Sequence, residues 1–122
     1  MDFIMFKLRL EGKAKGYREE ENSTFTSYGK TYSVNRLYEQ IESNDLPIQV
    51  FLVKDLEWII KYGTPDPERL KNADLEAPIC VVQEERLCVV DGFHRLCKAK
   101  KENVKELRGY LIPKSILEKA RI

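Results

Sequence analysis

Five consecutive residues, Asp91-Gly92-Phe93-His94-Arg95, bring a carboxylate, a glycine, an imidazole and a guanidinium together. His94 is the only histidine among the 122 residues. Arginine offers phosphate oxygens a planar, permanently charged fork. Histidine donates a hydrogen bond or exchanges a proton near neutral pH. Glycine lets the backbone turn sharply and come close to a ligand. Three roles are open to Asp91: orienting His94, holding a metal–nucleotide complex, or capping a helix. In this order the residues suit the binding of a phosphorylated ligand. They equally suit a plain structural corner, since Asp-Gly is a common turn pair and Asp a common helix cap.

Such chemistry needs a strand-to-helix corner, and the flanking sequence supplies one. Residues 78–90, PICVVQEERLCVV, read as strand, charged turn and strand, and the spacing predicts a helix over 93–101. The first N–H groups of a helix lack internal partners. With the positive end of the helix dipole, they form a ready anion site. Phe93, Leu96 and Cys97 form a core-facing stripe, and His94, Lys98 and Lys101 lie on another. A phosphate at the helix start is then within reach of Arg95 and Lys98. Lys101 lies about two turns away, at ~5.4 Å per turn, and is expected in solvent.

Upstream elements must hold this corner. Residues 3–10, FIMFKLRL, partly alternate and suggest a strand. Residues 11–31 are polar and read as a loop or irregular hairpin, with a short strand near STFTSY. Ser33 is a candidate N-cap for an amphipathic helix over 34–43, with Val34, Leu37, Tyr38 and Ile41 on one face. Residues 47–53, PIQVFLV, read as a buried strand, and 56–63 as a short helix stopped at Gly63. Thr64 or Asp66 caps one helical turn around 68–72, where Pro65 or Pro67 suits the first position. A last strand follows in VKELRGYLIP, then a short helix with Ser115 as a possible cap. Trp58 and Tyr62, four apart, are expected in the core.

The composition limits the function classes. Twenty-one Lys and Arg against twenty Asp and Glu give a net charge of +1, unlike a generic polyanion binder. The run Lys98-Ala99-Lys100-Lys101, next to Glu102, reads as a solvated face rather than a nucleic-acid contact. No run reaches the ~18 apolar residues of a membrane span. The N-terminus lacks a cationic lead and a cleavage site, so an intracellular, cytoplasmic protein without membrane attachment is expected. Three cysteines, without a Cys-x-x-Cys, favour reduced thiols and do not make a zinc set. Hairpin register decides whether Cys80 and Cys88 face each other: a three-residue loop allows it, whereas two or four residues place them on opposite faces.

Residues 46–113, and DGFHR at 91–95 in particular, resemble the ParB/sulfiredoxin-like superfamily. The resemblance rests on the Pro-Ile strand, the second strand, the Asp-Gly-x-His-Arg corner, an Ala-containing helix and a closing strand. It implies an α+β fold, a small mixed β-sheet with packed helices. Residues 46–122 would form this core and residues 1–45 an N-terminal extension packed on it, the whole making one compact domain. Residues 1–45 have no counterpart in the family. The motif departs from the sulfiredoxin type, which carries a cysteine where Phe93 stands, so sulfiredoxin chemistry is not expected. ParB proteins carry Gly-Glu-Arg-Arg there and a following helix-turn-helix domain, for which a chain ending at Ile122 leaves no room. The free-serine-kinase type, Asp-Gly-His-His-Arg, is closest in motif.

The implied function is nucleotide or phosphate binding, with phosphoryl transfer or hydrolysis as the associated chemistry. The cofactor would be ATP or another nucleotide, with Mg²⁺, and the acceptor a small molecule or a protein. Asp91 and His94 would be the catalytic pair, and Gly92, Phe93, Arg95 and Lys98 the phosphate-binding set. Kinases of this type also need a carboxylate base, for which Asp55 and Glu57 are the nearest candidates. One alternative is a non-catalytic, DNA-associated or regulatory module that uses the nucleotide as a switch. Another is an interaction domain whose pocket has decayed.

Overall fold

The computed structural model describes residues 24–27 and 29–122. The strand expected over 3–10 lies outside them. In chain order the elements are β1 (Thr24–Ser27), β2 (Lys30–Ser33), α1 (Val34–Ser43), β3 (Gln49–Leu52), α2 (Val53–Leu56), a 3₁₀ helix (Glu57–Tyr62), α3 (Pro67–Asn72), β4 (Ile79–Gln83), β5 (Leu87–Asp91), α4 (Phe93–Lys101), β6 (Glu106–Leu111) and α5 (Lys114–Lys119). No helix among the described residues is long and apolar enough to cross a membrane. They form a small mixed α+β fold.

The chain divides into two compact units. The first contains the described residues up to Leu46 together with Ile112–Ile122. There β1 and β2 form an antiparallel hairpin, with the Phe25 and Tyr32 rings stacked at 5.1 Å. Ser33 ends β2 and caps α1, its side chain accepting the Arg36 N–H at 3.2 Å. The spacing of Val34, Leu37, Tyr38 and Ile41 puts all four on the buried face. The C-terminal segment is tied to these elements. Ala120 O accepts the Ser33 N–H at 2.8 Å, and the Ile122 N–H donates to Thr31 O at 2.9 Å. Residues 112–122, expected with the core, group with this first unit. Ser115 does not cap α5 either, because Pro113 holds that position.

The second unit, Pro47–Leu111, carries a four-stranded sheet in the order β3-β6-β4-β5. β4 runs parallel to β6 and antiparallel to β5, and β3 runs antiparallel to β6. Phe51, Val53, Leu56, Ile79, Val81, Val89, Leu96, Ala99 and Leu107 form its core. Strand β4 is a continuous apolar run, Ile79 to Val82, and all four residues are buried, as an interior strand requires.

Strand β3 differs from expectation. It lies at the sheet edge, and only Phe51 of its four residues is buried. An apolar run records burial poorly when the strand's place in the sheet is unknown. The helix expected over 56–63 starts earlier, at Val53, and tightens to 3₁₀ from Glu57. Trp58 is half-buried, its Nε1–H donating to Leu87 O at 2.8 Å, but Tyr62 is 68% exposed and not in the core. The β4–β5 turn has three residues, Glu84 to Arg86, yet sets Val82 against Cys88. A register shift then puts Cys80 opposite Asp91, and none of the three cysteines forms a disulfide among the described residues.

Candidate functional site

Strand β5 ends at Asp91, and Gly92 takes the N-cap position of α4 with φ 116°. A side chain there would be doubly excluded. Its Cβ would approach Ile79 Cγ2 to 2.5 Å, and the backbone lies in the left-handed region. Gly92 O accepts the Leu96 N–H at 2.9 Å, which starts the helix, and no side chain caps it. Phe93 is half-buried and packs so closely on Gly63 that a Cβ at residue 63 would lie 2.7 Å from the ring. Its ring meets the His94 imidazole edge-on, centroids 5.6 Å apart.

His94 turns toward the preceding segment. Its Nε2 accepts the Asp66 N–H at 3.0 Å, so the neutral imidazole carries its proton on Nδ1. Asp66 is the N-cap of α3, and its own carboxylate accepts the Arg69 N–H at 2.9 Å. Of the two caps and two prolines the sequence left open, Asp66 is the cap and Pro67 takes the first position.

Arg95, expected in the phosphate-binding set, is engaged by the protein itself. The residue is only 4% exposed. Its Nη1 donates to Ala77 O at 3.0 Å and also to Pro78 O, and its Nη2 lies 3.5 Å from the Asp91 carboxylate. Burial pushes the guanidinium down to about 9, still charged at neutral pH. Lys98 is likewise engaged by protein. Its Nζ donates to Lys71 O at 3.1 Å and to Ala73 O at 2.8 Å, gripping the C-terminus of α3.

Three consecutive holds therefore run along α4: His94 to the start of α3, Lys98 to its end, and Arg95 to the entry of β4. The acceptors of Lys98 and Arg95 are backbone carbonyls, which carry no residue-type signature. That is why the sequence does not announce these partners.

The two candidate bases part company with the corner. Asp55 is exposed on α2. Glu57 pairs with Lys100 at 2.7 Å, seven residues beyond Phe93 and so about 10 Å along the helix. Cys97 is buried, and burial pushes its thiol up, away from the thiolate that nucleophilic chemistry needs. Burial and then the Glu84 carboxylate do the same to Cys88. No group of three or more His, Cys, Asp or Glu is placed to hold a metal among the described residues. Asp91 is the one carboxylate in the motif. No family model, curated protein or solved structure matches the chain.

Proposed function

We propose that the chain is a ParB/sulfiredoxin-like domain that binds the phosphates of ATP or another nucleotide at the N-terminus of α4. The opening of that helix carries the reading. Gly92 holds the cap position with φ 116° and no capping side chain, so the positive end of the dipole faces the corner. Backbone N–H groups at Gly92 and Phe93 are the phosphate donors, and His94 adds Nδ1–H. Arg95 and Lys98 position the helix and do not touch phosphate. Mg²⁺ is commonly held by one carboxylate together with substrate phosphates, a role that falls to Asp91.

Phosphoryl transfer to a small molecule or protein, or hydrolysis, suits such a site through positioning and charge stabilisation. The switch reading has a specific observation in its favour. His94 holds the Asp66 N–H through Nε2, so a phosphate that accepts from Nδ1–H is coupled through the imidazole to the start of α3. A DNA-associated role has less support, because two lysines of the 98–101 run are engaged within the protein.

Thermal unfolding with ATP, ADP and CTP, each with and without Mg²⁺, tests the reading. A ligand at 100 times its Kd stabilises the fold by about 2.7 kcal/mol. The expected outcome is a raised melting temperature with one nucleotide, lost in His94→Glu, whose carboxylate suits the helix start but repels phosphate. No shift with any nucleotide would sink the reading. Phosphate release by the shifting nucleotide then separates an enzyme from a switch.

A further inference from the structure

Strand β3 borders the sheet and is hydrogen-bonded only to β6 among the described residues. The Val53 N–H donates to Lys105 O at 2.9 Å, and the register continues as Leu52 opposite Glu106 and Val50 opposite Arg108. In an antiparallel pair, hydrogen-bonded residues alternate. Phe51 therefore bonds toward β6, while the N–H and C=O groups of Val50 and Leu52 point to the open edge. These two residues are also 59% and 39% exposed, among the few large apolar residues at the surface. Edge strands are ordinarily blunted by charge, proline or a bulge. β3 has none of these within its four residues.

A cavity of about 280 Å³ opens at the end of this strand. Its lining includes the apolar Leu52 and Val104 and three lysines, Lys54, Lys100 and Lys105, against one acidic residue, Glu57. Glu57 is already matched by Lys100 at 2.7 Å. Lys54 and Lys105 make no ion pair among the described residues, so the cavity keeps an uncompensated positive charge.

We propose that the β3 edge and this cavity together dock an extended acidic peptide of a partner protein. The peptide adds as a strand to Val50 and Leu52, as strand addition to an open edge allows. An apolar side chain packs on Val50 and Leu52. A carboxylate enters the cavity between Lys54 and Lys105. This surface is separate from the Gly92 corner and does not depend on nucleotide binding there.

Selection of phage-displayed random octapeptides on the full chain tests the proposal, followed by fluorescence anisotropy with the selected peptides. The expected winners carry Asp or Glu next to β-branched residues. Two variants should each weaken binding roughly tenfold or more. Lys54→Glu with Lys105→Glu reverses the cavity charge, and Val50→Pro removes an outward N–H that β6 does not use. Should Val50→Pro lower the melting temperature, a peptide with an ester replacing one backbone amide reads the same contact on the unaltered chain. Winners without acidic residues, or affinities unchanged in the lysine variant, would overturn the proposal. So would indifference to both the proline and the ester, which would leave an anion pocket without strand addition. A dimer of the free chain that Val50→Pro dissolves would assign the edge to a second copy instead.

Discussion

Arg95 illustrates how one residue type serves two opposite purposes. A guanidinium in solvent recognises phosphate. The same group, buried and aimed at carbonyl oxygens, fixes backbone. Here it ties Ala77 and Pro78 to Asp91 and so locks the entry of β4 to the end of β5. Truncating one partner of a buried charge pair leaves the other uncompensated, at about 3–5 kcal/mol. Arg95→Ala is therefore expected to lower stability by that order, read from the urea midpoint. Arg95→Lys should recover little, because an ammonium lacks the planar fork that serves carbonyls and carboxylate together. A stability near wild type in Arg95→Ala would return the residue to the phosphate-binding set. His94 also serves the backbone, its Nε2 accepting the Asp66 N–H at 3.0 Å.

At the scale of elements, the corner depends on the close passage of β4 behind α4. Ile79 fills the space where a side chain at residue 92 would sit. Gly92→Ala meets both that contact and an unfavourable φ, so a loss of about 2 kcal/mol or more is expected from strain and overpacking. Chemical denaturation reads it, and a neutral outcome would show that the corner can relax. The same comparison bears on function: a Gly92→Ala chain that still folds should bind nucleotide more weakly if the backbone at Gly92 approaches the phosphates. Strand β3 shows the other limit. Its apolar letters suit an interior strand, yet among the described residues it pairs with β6 alone, at the sheet edge.

The whole molecule is built from two units, and the chain returns to the first after completing the second. Residues 112–122 contribute α5, whose Ile116 and Leu117 are buried, and a set of backbone bonds to Thr31 and Ser33. Arg36 also donates to Arg121 O at 3.0 Å. Truncation after Pro113 is expected to unprotect α1 and the β1–β2 hairpin in amide hydrogen exchange, since their partners are removed. Protection in β4 and β5, whose ladder lies within the second unit, is the internal comparison. Unchanged exchange in α1 would mean that the C-terminal segment contributes little to the first unit.

Several elements were legible because their signals are local. Ser33 and Asp66 are capping residues, the 34–43 stripe has helical spacing, and Asp-Gly must break a strand. The α+β class was expected from the family resemblance, and the described residues do form a small mixed sheet with helices. Tertiary structure alone decided which face of the corner each charge takes. Arg95 and Lys98 find backbone carbonyls 17 to 27 residues away, and such acceptors are the same in every residue. It also decided the edge position of β3 and the pairing of Glu57 with Lys100 across 43 residues. Sequence sets what each side chain is able to donate or accept; the distance that chain folding closes between remote segments sets what it actually meets.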